Sequence, residues 1–176
     1  MKYIAYEELP SLVRKQLIEQ TQLDPQFVRN AASIFGAGNG KTDDNTIFTS
    51  ITKCEAVLFF LITKRDDNNC VTQSEDDDIV MSQSYDVKVM IYGDKSASIA
   101  SNCIARLRKD SVRQTCQRSG FYISHVSNSI SSYEFKSMTN WLRNDFTISI
   151  CCEHLISEIT EDVDFDTLNT LSTIRS

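Results

Sequence analysis

The chain has 176 residues, 41% hydrophobic and 24% charged, with 5 Gly and 2 Pro. This is the composition of one ordinary globular domain with or without an arm, and it excludes collagen-like, Pro-rich and disordered classes. A formal net charge of −6 excludes a general nucleic-acid binder. No apolar run approaches the ~18 residues of a membrane helix, and Met1 to Glu8 lacks the apolar block of a signal peptide. A soluble protein, intracellular when made and without a membrane partner, is expected.

In chain order, residues 6–21 predict a helix. Leu9, Leu12, Val13, Leu17 and Ile18 form its apolar stripe, and Pro10 sits in the first turn, where a missing N–H does little harm. Asp24 and Pro25 then cap and open a short second helical stretch anchored by Phe27 and Val28. Residues 36–45 are loop, holding three of the five glycines, and Thr46 to Thr52 alternates as a strand. Glu55 to Lys64 contains the dense run Ala56 to Ile62, which fits a central strand covered on both faces. An acidic connector over 65–77 leads to a period-two stretch from Ile79 to Tyr92, with Gln83 interrupting its apolar face. The two strands and their connector predict a long hairpin.

After Tyr92-Gly93-Asp94-Lys95 a helix is expected from Ser96, with Ala97, Ala100, Cys103, Ile104 and Leu107 as its stripe. A second helical piece over Ser111 to Ser119 stops at Gly120. Phe121 to Ile130 predicts a strand, Tyr133 to Asn140 has no decided pattern, and Asn144 to Ile156 alternates again. The expected fold class is α+β: a mostly antiparallel sheet with helices packed on one face, a long hairpin and a C-terminal arm. One domain over 1–160 and an extension over 161–176 are expected.

The motifs that suggest chemistry are weak. Gly36 to Thr42 ends in Gly-Lys-Thr, but Gly36 and Gly40 have three residues between them where a phosphate-binding loop needs four. A helical stretch precedes it and a strand follows, the reverse of what that loop requires. Asp76-Asp77-Asp78 lacks the spaced oxygens and the Gly of a calcium loop. No Gly-x-Ser-x-Gly elbow exists, and His125 and His154 lie on expected strands, where histidine is usually structural. Of the six cysteines none forms a Cys-x-x-Cys pair, and adjacent Cys151 and Cys152 point to opposite strand faces. They read as small buried residues in a reducing compartment. The expectation is no catalytic residue, no metal and no cofactor.

Charge is the remaining signal. Residues 95–118 carry Lys95, Arg106, Arg108, Lys109, Arg113 and Arg118 against Asp110 alone, whereas 66–78 and 153–166 are acidic without a base. Such blocks are either solvated faces or mating surfaces between copies. The candidate interface is Arg106, Arg108, Lys109 and Arg113 against Asp76, Asp77, Asp78, Glu161 and Asp162 of the next copy.

The stretch Ser82 to Ala97 ends a long strand in Tyr92-Gly93 and opens a helix on an Ala-containing turn, and Trp141, Arg143 and Phe146 precede and enter the last strand. This layout resembles the neck or tail terminator proteins of tailed bacteriophages, over residues 6–160 in plan and 80–107 and 141–152 in recognisable residues. The resemblance implies a non-enzymatic structural protein of the virion, assembled in the host cytoplasm. It implies a homo-oligomeric ring, commonly hexameric, that docks the tail to the head-tail connector, meets connector and tail proteins, and lets viral DNA pass through its lumen. Another connector or tail-tube subunit, or a monomeric binding module, are the alternatives.

Overall fold

Two long strands carry the fold. In the computed structural model, which describes residues 2–31, 48, 55–65, 70–73 and 79–156, β4 (Ile79–Tyr92) and β7 (Thr139–Ile156) pair antiparallel from Ile79↔Ile156 to Tyr92↔Arg143. Shorter strands lie end to end on either side. Beside β4 run β2 (Val57–Lys64) and β3 (Cys70–Gln73); beside β7 run β6 (Ile130–Lys136) and β5 (Phe121–Val126). The three-residue β1 (Val28–Asn30) adds to β2 and makes the one parallel pairing among the described residues of this seven-stranded sheet. The predicted α+β class holds, with a mostly antiparallel sheet.

The three helices traced along their full length among the described residues cover one face, while the helical residues Ala31 and Phe48 lie on the other. The three are α1 (Leu9–Thr21), α2 (Ser96–Leu107) and α3 (Asp110–Ser119). Leu9, Val13 and Leu17 of α1, Ala100, Cys103, Ile104 and Leu107 of α2 and Cys116 of α3 pack on Leu58, Phe60, Val87, Val89, Ile91, Ile123, Ile148 and Ile150. Burial of each large aliphatic side chain here contributes on the order of 1.5–3 kcal/mol. The stripe expected for α2 is present except at Ala97, which is exposed; Ser96 is buried in its place and receives a hydrogen bond from Asn144 Nδ2 at 2.9 Å.

The opposite face has its own small aromatic core. Val57, Phe59, Tyr92 and Trp141 meet Phe48 and Ala31 there, with Phe48 edge-on to both Tyr92 and Trp141 at centroid separations of 5.0 and 5.2 Å. The dense apolar run therefore forms a strand buried on both faces, as its lack of alternation predicts. The loop expected at 36–45 lies outside the described residues; of the strand expected at 46–52 only Phe48 is described, and it is helical rather than extended.

Three differences from the sequence reading concern ends and turns. Asp24 caps a turn as expected, accepting from Gln26 N at 3.0 Å, but the chain then extends, so Val28 lies in a strand. The single strand expected over 121–130 is two strands, β5 and β6, with Ser127–Ser129 crossing between them. The undecided stretch 133–140 is a hairpin, which lengthens the last strand backwards to Thr139. Gly120 ends α3 at φ 109°, as its predicted stop position requires.

Candidate assembly surfaces

The β6–β7 hairpin extends past the end of β4, whose pairing with β7 stops at Arg143. Its turn is Ser137–Met138, both left-handed with φ 48° and 62°. Two successive left-handed residues make a type I′ turn, whose twist matches the flanking strands. Such a turn makes the closing pair Lys136↔Thr139 a hydrogen-bonded one. By alternation, Glu134, Ser132 and Ile130 direct their backbone groups at β7. Those of Ser131, Tyr133 and Phe135 point to the open edge, where no strand pairs with them among the described residues.

The base of the hairpin is fixed by polar contacts on both faces. On the helix side Ser131 Oγ donates to Asn144 Oδ1 at 2.6 Å, and Asn144 passes the chain on to Ser96 at the start of α2. On the other side Glu134 accepts from Tyr92 Oη and from Arg143 Nη1, each at 2.6 Å, and Arg143 forks onto Asp145. Burial would raise the Glu134 pKa, but the hydrogen bonds from Tyr92, Arg143 and Lys136 outweigh it and bring it down to about 2. Burial, together with the bond to Glu134, raises the Tyr92 phenol. Trp141, 3% exposed, closes this base and donates its indole N–H to Lys136 O at 3.2 Å.

The large apolar side chains of β6 and of the turn are exposed. Ile130 is 73% exposed, Tyr133 76%, Phe135 63% and Met138 88%. Tyr133 and Phe135 share the helix-side face with Ser131, while Ile130 takes the opposite face with Glu134. Beside Ile130 a cleft of about 220 Å³ opens where β5 gives way to β6, lined also by Lys88, Ser127, Asn128 and Asp145.

The basic residues singled out from the sequence do gather around the helix layer, but two of them serve their own chain. Arg106 Nη1 donates to Gln20 O at 3.1 Å, tying α2 to the end of α1. Arg108 Nη2 donates to Val126 O and Asn128 Oδ1 at 2.9 and 2.8 Å, holding the crossing from β5 to β6. Lys109 is exposed at the start of α3. Arg113 is half-buried, and its Nε is the one buried side-chain nitrogen or oxygen among the described residues that lacks a hydrogen bond. Asp76, Asp77, Asp78, Glu161 and Asp162 lie outside the described residues.

The two histidines divide. His125 is exposed on β5, next to a register shift. His154, 1% exposed, is the hub of a buried network: Nδ1 donates to Ile4 O at 2.8 Å, Nε2 lies 2.9 Å from Tyr85 Oη, and Tyr6 stacks on the ring at 3.8 Å. It is the structural histidine that a strand position suggests. The same network explains Gln83, the polar break in an apolar strand face, whose Oε1 accepts from Tyr85 Oη at 3.2 Å. Cys103, Cys116 and Cys152 are buried thiols, each pushed up to about 12 by burial. Among the described residues no group of three His, Cys, Asp or Glu side chains is placed to hold a metal ion, and no helix is long and apolar enough to cross a membrane.

The exposed hairpin was not among the sequence candidates. The signal available for it was Tyr133-x-Phe135, two aromatics at strand spacing inside an otherwise polar stretch.

The described residues thus present a sheet with exposed apolar side chains along the β6–β7 hairpin and basic residues on α2 and α3. The family model of phage neck terminator proteins matches residues 38–174, and the chain belongs to that family. It is a structural protein of the virion neck, and its partners are other proteins of the head-tail junction and tail. No curated protein matches the chain.

Proposed function

We propose that this chain is the repeating subunit of a homomeric ring, a hexamer, at the head-tail junction. The ring joins the tail to the connector and gives viral DNA a lumen to cross, and it is assembled in the host cytoplasm before it enters the virion. The observation that carries the reading is the family match over 38–174, most of the chain. A second observation supports it. The basic residues of 95–118 cluster on the helix layer, while a net charge of −6 leaves the rest of the chain acidic. A heterologous contact between unlike faces is what closes a ring. An acidic surround also suits a DNA passage, because phosphate affinity comes from Lys and Arg contacts.

The contact proposed is Arg106, Arg108, Lys109 and Arg113 against Asp76–Asp78 or Glu161 and Asp162 of the neighbouring copy. Arg106 and Arg108 already hold carbonyls of their own chain, so reversing them confuses folding with assembly. Lys109→Glu combined with Arg113→Glu is the cleaner probe. Light scattering at low and high salt measures the mass. A ring mass for the wild type that falls to that of a single chain in the double variant supports the contact, and salt is expected to weaken it, because exposed charges are screened within ~8 Å at physiological ionic strength. A ring unaffected by both reversals rules it out.

A further inference from the structure

Resting on the ring reading, we infer that the ring is closed by sheet extension: the open edge of β6 takes β3 of a second copy, so that the sheets of neighbouring subunits run on into one another. The site is the outward-facing backbone of Ser131, Tyr133 and Phe135.

The exposed side chains fit an added strand better than a partner pressed on one face. A strand joined at an edge sends alternate side chains to both faces of the sheet. Around β6 the uncovered apolar groups also lie on both faces, Tyr133 and Phe135 on one and Ile130 on the other, with Met138 at the tip. Their exposures amount to about three large side chains left bare, roughly 600 Å² at ~200 Å² each. That is most of the ~800 Å² per partner in a standard interface, and a large figure for a surface that nothing among the described residues covers. Natural edges are usually blunted by charge or proline; here the three outward residues are Ser, Tyr and Phe.

The second copy is the occupant because the fold itself contains the complementary edge. β6 is antiparallel to β7, β7 to β4 and β4 to β3, so β3 and β6 run in opposite directions at opposite margins of one sheet. A neighbour with its helices on the same side therefore offers β3 to β6 in antiparallel sense without being turned over. That is a head-to-tail contact, which generates a ring when the rotation closes. The competing margin is less suitable. β1 has three residues, and Arg14 Nε already occupies the Val28 carbonyl at 2.9 Å. β3 is uncharged Cys-Val-Thr-Gln. The offset between the two edges, from β7 residues 139–145 to 153–156, is about 12 residues, or roughly 40 Å at ~3.3 Å per residue. Neighbours joined this way are displaced along the strands as well as across them, and the strands lie oblique to the ring axis.

The test uses the full chain. Tyr133→Pro deletes one outward N–H and leaves the ladder to β7 intact, a substitution edge strands tolerate. Tyr133→Thr keeps the N–H and removes the ring. Circular dichroism and the fluorescence of the single tryptophan, Trp141, establish that the hairpin is folded. The expected result is ring mass for the wild type, a single-chain mass at the same concentration for Tyr133→Pro, and an intermediate assembly midpoint for Tyr133→Thr, raised about tenfold. A third variant, Tyr133→Cys, treated with a short bismaleimide, should join position 133 to Cys70 of another copy, as read by peptide mapping. A wild-type ring that survives Tyr133→Pro, or a crosslink to some other cysteine, overturns sheet extension and leaves the ring reading standing. A wild type that stays monomeric at every concentration overturns both.

Discussion

Replacing Gly93 by alanine should destabilise the protein severely, and the size of the effect follows from its surroundings. Gly93 has φ 121°, a conformation that L side chains rarely adopt, and a Cβ built there meets Glu55 O at 2.3 Å and the Ala56 Cα at 3.2 Å. Both neighbours are backbone, so no side chain can swing away. The left-handed conformation costs an L residue on the order of 1–2 kcal/mol. Pushing apart a packed strand end costs a further ~1–3 kcal/mol. The Gly93 N–H also donates to Leu142 O at 3.0 Å, and its carbonyl accepts from Ser96 N at 3.0 Å, so any relief by moving the turn loosens both the hairpin base and the start of α2. A loss of about 3–4 kcal/mol is expected. With m about 2 kcal/mol/M in urea, the unfolding midpoint should fall by roughly 1.5–2 M. Equilibrium urea unfolding followed by Trp141 fluorescence measures this. A midpoint within ~0.3 M of wild type would refute the argument that this turn needs a glycine.

Three further outcomes are expected. His154→Ala should free the N-terminal segment: Ile4 O loses its donor and Tyr6 its stacking partner, at a cost of ~2–4 kcal/mol. Hydrogen exchange over residues 2–8 should accelerate more than in β4, and equal acceleration in both would contradict the tether. Glu134 has a folded-state pKa of about 2, below its ordinary value of 4.5. Its contribution is therefore complete above about pH 4.5 and is lost as the pH falls towards 2. Over that window the Trp141 signal of the wild type should change, whereas Glu134→Gln should be flat; superimposable profiles would show that Glu134 does not hold the hairpin. Cys103, Cys116 and Cys152, with pKa values about 12, have about one thiolate in ten thousand at pH 8 and are buried besides. They should resist a thiol reagent until urea is added, and fast labelling of any of them in the native protein would place it outside the core.

The elements with strong periodicity were legible in the sequence. The alternation in β4 and the i, i+3, i+4 stripes in α1 and α2 each record one buried face, and burial of that face dominates local preference. Gln83 looked like a flaw in its strand because the alternation records polarity alone. The partners that satisfy it, Tyr85 two residues away and Tyr6 from the far end of the chain, are set by tertiary structure. β1 left no trace because three residues cannot show a period.

The hairpin at 130–142 was obscured for a related reason, one that bears on its role. Its turn uses Ser137 and Met138 where Asn-Gly would be the usual signal, and its first strand has no buried face, so apolar side chains occur on both sides of it. A strand that alternates records a core inside its own chain. β6 records none, yet it carries an isoleucine, two aromatics and a neighbouring methionine on a base fixed by the Asn144 and Glu134 networks. Rigid support beneath uncovered apolar groups is costly in an isolated monomer, where it invites aggregation, and useful in a subunit whose edge is completed by assembly. The undecided pattern in the sequence and the exposed edge in the fold are thus two signs of one fact: β6 has no buried face among the described residues of its own chain, which is the half of the alternation that the proposed sheet extension would supply.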